Sequence, residues 1–354
     1  MKLIRVLLSL LALGCLGAVA QSDSGSTAAP ATAGASDNGY HEVHQYKIGG
    51  EGGWDYINMD GPSRRLYISR GTHMQVLNID TGKIEGDITG LKGIHGIALD
   101  KADHKGFISD GRDNSVVVFD LKKIKQTGKV PAGTNPDAII FDPYSKRVFA
   151  FNGRSGNATA IDAKDNKVAG TIDLGGKPEF AASDGKGKVF VNLEDKSELV
   201  QIDPKALKVV NTWPLAPGES PNGLSIDADH DVLFSGCHNE MMAIVDGNSG
   251  KVITTQKIGR GVDATAFDKG VQQAYSSNGE GNITVIKENS PTDFSEVATV
   301  PTKRGARTMS VDEKTHNLVT VTADFEPAPE PAPGQQRQRP KMVPDSFVVL
   351  VYGK

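Results

Sequence analysis

The chain has 354 residues, with 39 Lys and Arg against 43 Asp and Glu, a net charge of −4 and two cysteines. An acidic balance excludes a general nucleic-acid binder, whose affinity comes from Lys and Arg neutralising phosphates. Beyond the first twenty residues no apolar run approaches the roughly 20 residues a bilayer-spanning helix needs, so no membrane span is expected.

The N-terminal segment carries Lys2 and Arg5, an apolar core from Val6 to Leu13, and Ala18-Val19-Ala20 before Gln21. This is the layout of a cleaved signal peptide over residues 1–20 and predicts a periplasmic or secreted protein. Removing two positive charges and no negative one takes the net charge from −4 to −6. Cys15 offers an alternative, a lipoprotein anchor, but Ala12 stands where a lipobox has Leu. After cleavage Cys237 is the one remaining thiol, so no internal disulfide can form and stability must come from packing. Its position in an apolar run predicts a small buried side chain. Residues 21–39 are mostly Ser, Ala, Gly, Thr and Asp, a composition that cannot offset the entropy of ordering and reads as a flexible linker.

From residue 40 to 354 the sequence repeats. Asp60, Asp100, Asp142, Asp184, Asp227, Asp268 and Asp312 recur every 40 to 44 residues. In the first unit Asp55 to Asp60 is followed by the turn Gly61 to Arg65, a second run Leu66 to Ser69, a third from Met74 to Ile79, and a fourth ending near Leu91. All four runs have strand length, and none has helical period. Seven such units predict an all-β fold, a seven-bladed β-propeller of four-stranded antiparallel blades with WD40-like repeat length.

The paired runs Phe107 to Asp120, Phe149 to Asp162 and Phe234 to Asp246 are similar to the YVTN repeat. On these copies the chain resembles the YncE-like family of exported bacterial propellers, over roughly Tyr46 to Tyr352. The resemblance implies the fold and a ligand face at the channel mouth. It fixes no activity, because one fold hosts many. The DNA binding of one branch of that family is not carried over, because the repeats have no basic stripe.

The seventh unit has its third strand at Phe347 to Val351 and no room for a fourth before Lys354. The segment His44 to Ile48 is expected to supply it, closing the ring and removing two sheet edges. Between the second and third strands of this unit lies a Pro-rich insertion, Asp324 to Asp345, with Glu326 and Glu330 in its first half and Arg337, Arg339 and Lys341 in its second. Two readings stand for it: a lid drawn over an acidic channel mouth, or an outward loop.

Five residues before each repeat Asp stand Asp55, His95, Asp137, Glu179, Asn222, Asp263 and Arg307. Even spacing places them at the start of equivalent innermost strands, hence in one ring at the channel mouth, where four carboxylates would raise one another's pKa or recruit a cation. The turns between second and third strands add His73, Arg112, Asn152, Arg154, Glu194, His238 and Glu280. Three readings follow. The ring is a solvated mouth, a binding site for a cationic or polyhydroxylated small molecule, peptide or envelope protein, or a lactonase-like hydrolytic site holding a divalent cation. The leading expectation is a monomeric binding module; no cofactor is identified, and a divalent metal belongs to the hydrolytic alternative.

Other signals are local. Asp227 to Asp231 has the alternating Asp of a calcium loop but lacks its Gly and distal Glu, and reads as a hairpin turn. Gly49 to Gly53 lacks a following helix and reads as a connection. The chain contains neither Cys-x-x-Cys-His nor Gly-x-Ser-x-Gly.

Overall fold

Apolar residues on both faces of a strand mean that both faces are covered, and the second and third strands of every unit have this character. Arg147–Asn152 is buried along all but its first residue, and Gln273–Asn278 throughout. The fourth strands are the opposite: Lys125–Pro131 and Lys167–Asp173 are exposed at most positions. First strands are buried at some positions and half-buried at others, with a polar residue at or just before the start of each. Each unit therefore forms a sheet buried in its middle, wet at its outer edge and polar at its inner edge.

A computed structural model describes residues 37–327 and 340–354 of the chain. It contains seven four-stranded antiparallel sheets, six of them built from four consecutive strands. The innermost strands are Ile57–Asp60, Ile94–Asp100, Pro136–Asp142, Pro178–Ser183, Pro221–Asp227, Val262–Asp268 and Met309–Asp312, one for each of blades 1 to 7. Each packs against the innermost strand of the next blade, and the last packs against the first. The core lies between blades rather than in one centre. Tyr67 and Val76 of blade 1, for example, meet Ile108 and Phe119 of blade 2.

The seventh sheet runs Met309–Asp312, Asn317–Thr322, Val348–Gly353 and then His41–Lys47. The N-terminal strand thus closes the ring, pairing from Lys47 opposite Val348 to His41 opposite Gly353. It begins three residues earlier than the sequence suggested and ends at Lys47. Both neighbours hold it. The Tyr46 hydroxyl donates to the Ile79 carbonyl of blade 1 at 2.7 Å, and the Tyr40 hydroxyl donates to Gln273 of blade 6 at 2.8 Å. Tyr46 lies over Gly82, where a Cβ would stand 2.3 Å from the ring.

The connection Gly49 to Gly53 wraps a fully buried arginine. Arg70 donates to the carbonyls of Gly49, Glu51 and Gly52 at 3.1–3.3 Å, and its guanidinium lies 3.8 Å from the Phe347 ring centre. Gly52 is required at φ +93°, where a Cβ would meet the Arg70 carbonyl at 2.7 Å.

The repeat Asp residues are buried, and they bind across blades as well as within turns. Asp142 accepts the Ser145 amide at 2.8 Å and the Ser183 hydroxyl of blade 4 at 2.6 Å. Asp268 accepts the Gly270 amide and faces His316 of blade 7, both at 2.8 Å. Asp312 pairs with Arg64 of blade 1 at 2.6 Å, and Asp60 with Lys101 of blade 2 at 2.8 Å.

The signal segment, Cys15 and most of the linker lie outside the described residues, as do residues 328–339 with Glu330, Arg337 and Arg339. The ends of the insertion extend the blade 7 hairpin through a Phe325–Met342 bridge. Phe325 there approaches Trp54, with ring centres 6.0 Å apart. Cys237 is fully buried, and burial pushes its thiol pKa up to about 11.

Candidate functional site

Five ring residues, His95, Asp137, Glu179, Asn222 and Asp263, are the second residues of their strands. Asp55 and Arg307 stand two residues before the shorter strands of blades 1 and 7. At each of the five the ladder to the second strand is irregular: the pairing steps from Ile94 to Ile97, Pro136 to Ile139, Pro178 to Ala181, Pro221 to Leu224 and Val262 to Ala264. A bulge re-aims side chains, so successive residues can face the same side. Glu179 and Phe180 accordingly both line the cavity; Asp55 and Tyr56, which precede the strand Ile57–Asp60, line it as well.

All seven residues line one cavity of about 370 Å³, together with Tyr56, Lys177, Phe180 and Glu194. Tyr56 of blade 1 and Phe180 of blade 4 stack across the axis, with ring centres 4.4 Å apart and planes at 27°. Each follows a ring residue in sequence, and together they give the cavity an aromatic base.

Its wall is a charge network. His95 Nδ1 lies 2.6 Å from Asp55 Oδ2 and 3.7 Å from Asp137 Oδ1. Arg307 pairs with Asp263 at 3.0 Å and reaches Asp55 at 4.0 Å. Lys177 pairs with Glu179 at 2.6 Å and with Glu194. Five carboxylates therefore face two permanent cations and one imidazole.

Removal from water dominates the titration of these groups. Burial, reinforced by Asp55, pushes Asp137 up to about 6 against the pull of His95. Burial and the Asp137 charge push Glu179 up to about 7, although Lys177 draws it down. Asp263 is pushed to about 7 by burial, against Arg307 and with Asp55 and Asp137. For His95, burial favours the neutral ring, but the hydrogen bond to Asp55 and the surrounding carboxylates outweigh it and raise the pKa. Tyr56 is held well above the usual phenol range by burial and by the same carboxylates.

The turn residues divide. Glu194 lines the cavity, and His238 lies beside it with Nδ1 3.8 Å from Glu194. Arg154 lines a separate shallow notch between blades 3 and 4. Asn152 is buried inside its sheet and donates to Asn157 and Thr159 at 2.8 and 3.0 Å. Arg112 is exposed, and Glu280 pairs with Arg260 at 3.6 Å. His73 lies outside the mouth, next to Thr72 and in the electrostatic range of Asp87 and Arg70. The repeat alignment missed Lys177, Tyr56 and Phe180. Lys177 carries a legible signal, a cation two residues before Glu179; the aromatic pair emerges only from ring closure.

Asp55, His95 and Asp137 each offer a ligand atom, all within 4.8 Å of one another. That set could accept a divalent cation, but His95, Arg307 and Lys177 already compensate the carboxylates around it.

No protein-family model matches the sequence, and no curated protein matches it. Among solved structures the chain is similar to one of U3-55K, with TM-score 0.72 and 8% identity, covering 90% of this chain and 99% of that one. It is likewise similar to the crystal structure of the RRP9 WD40 repeats, with TM-score 0.72, 6% identity and the same coverage of 90% and 99%. At these identities the likeness establishes the fold, that of WD40-repeat seven-bladed propellers.

Proposed function

We propose that this protein is an exported binding module of the YncE-like type, and that its channel mouth takes a small molecule carrying a protonated amine. The observation that supports this is the convergence of all seven ring positions on one cavity with an acidic wall and an aromatic base. Carboxylates in excess of cations attract an ammonium group, and aromatic rings tolerate or attract its alkyl and cationic parts. Bound positive charge would favour ionisation of Asp137, Glu179 and Asp263, whose pKa values lie at about 6 to 7, so binding releases protons. Export rests on the signal-like residues 1–20, and the family reading on the YVTN-like runs. The hydrolytic alternative requires a metal on Asp55, His95 and Asp137, where Arg307 and Lys177 compete with it.

A thermal-shift screen of primary amines, amino sugars and neutral polyols of matched size tests the proposal on the wild type and on the variant D137N/E179Q/D263N. Amines should raise the wild-type melting temperature and leave the variant unmoved. Stabilisation confined to neutral polyols, or amine stabilisation equal in both proteins, rules it out.

A further inference from the structure

Blade 6 departs from the repeat at one buried position. Just past the third strand of a blade, or in blade 6 near its end, one residue donates its amide to the first turn of the same blade: Ile79 to Arg64, Leu121 to His104, Ala163 to Lys146, Gly247 to Asp231 and Glu288 to Gln272, at 2.7–3.1 Å. Ile79, Leu121 and Ala163 fill this slot with apolar contacts to neighbouring side chains. Blade 6 fills it with Glu288, which is 4% exposed and whose two carboxylate oxygens both lack a hydrogen-bond partner.

The Glu288 carboxylate points at blade 5. Its Oε1 lies 3.8 Å from His230 Nδ1, which is 2.5 Å from Oδ2 of the repeat residue Asp227, itself 1% exposed. One ligand atom from each of the three lies within 4.8 Å of the others. At four other blade boundaries a buried repeat Asp receives a donor from the next blade, from Lys101, Ser183, His316 or Arg64. Here it receives a second carboxylate. Among the described residues, His230 is the only basic side chain within 4.0 Å of either one. Two buried carboxylates on facing blades are unfavourable without further positive charge.

We propose that Asp227, His230 and Glu288 form a divalent-cation site that joins blade 5 to blade 6. Two carboxylates and an imidazole suit a first-row ion such as Zn²⁺ or Mn²⁺ better than Ca²⁺, which takes oxygen ligands. His230 is half-exposed and borders a cavity of about 560 Å³ with Asn248, Lys251 and Pro291, which gives the ion an entry path and room for water ligands. Binding displaces the proton between His230 and Asp227, as metal capture by titratable ligands requires. The site lies at the opposite end of the strand Pro221–Asp227 from Asn222, separate from the channel mouth.

Calorimetric titration of EDTA-treated, dialysed full-length protein with ZnCl₂ tests the site, using wild type, E288Q, H230A and D137N. The wild type and D137N should bind alike, and E288Q and H230A should each bind at least about tenfold more weakly, the range reported by metal-shell substitutions. Mn²⁺ should broaden the NMR signals of the His230 ring before those of His95. Absence of Zn²⁺ binding in the wild type would overturn the proposal in favour of a proton shared by Asp227 and Glu288. Equal binding by wild type, E288Q and H230A would overturn it in favour of a site elsewhere.

Discussion

At the scale of single residues, the repeat Asp is a connector between blades, a role its sequence position conceals. Its place at the end of a strand implies bonds to turn amides. That Asp142 also accepts Ser183, and Asp312 accepts Arg64, depends on where the next blade lies. D142A should therefore destabilise the fold by about 1–3 kcal/mol, the effect of leaving buried donors unpaired, read from urea unfolding; an unchanged midpoint would assign these bonds no net role. The ring residues make a second prediction, on pH. Asp137, Glu179 and Asp263 titrate near 6, 7 and 7 in the folded protein, against ordinary values of 3.8, 4.5 and 3.8. Raised folded values mean that the stability they contribute is complete below their unfolded values and is lost as pH rises through 6 to 7. The raised pKa of His95 acts in the same direction. The melting temperature of the wild type should fall relative to D137N/E179Q/D263N between about pH 5 and 8. A constant difference across that range would mean that the ring carboxylates are ionised throughout.

At the scale of elements, the strands were legible because burial on two faces, on one and on neither gives three distinct residue patterns, repeated seven times. The ring was legible for the same reason: a fixed offset from a repeating Asp is a fixed height on the propeller axis. The inward turn of Phe180 at its bulge and of Tyr56 just ahead of its strand was not, because neither a bulge nor a strand entry leaves a mark in so short a segment. Glu288 was not legible, because it stands at the far end of a third strand, away from the inner strands and the turns that gather at the channel mouth. Ring closure gives the prediction that belongs here. Deleting residues through Gly39 should leave the melting temperature unchanged, since the closing strand His41–Lys47 and its anchors Tyr40 and Tyr46 survive. Deleting through Gly50 removes that strand, leaves the outer edge of Val348–Gly353 unpaired and strips from Arg70 one of its three carbonyl partners, that of Gly49. A sharp fall in melting temperature should follow, with aggregation through the exposed edge. Equal melting of the two truncations would contradict closure by this strand.

At the scale of the whole molecule, seven nearly equivalent blades bring unlike residues to one axis, and function resides in the differences among them. The acidic residues of four blades, the imidazole of blade 2 and the guanidinium of blade 7 share one mouth above an aromatic base. The central claim is that this mouth binds a protonated amine in exchange for protons held by its own carboxylates. Calorimetric titration with the most stabilising amine of the screen, repeated in buffers of different ionisation enthalpy near pH 6.5, measures both parts at once. The account predicts binding of one equivalent with net proton release, tighter as pH rises, and loss of both in D137N/E179Q/D263N. Binding without proton release, or binding that survives in the triple variant, would contradict it.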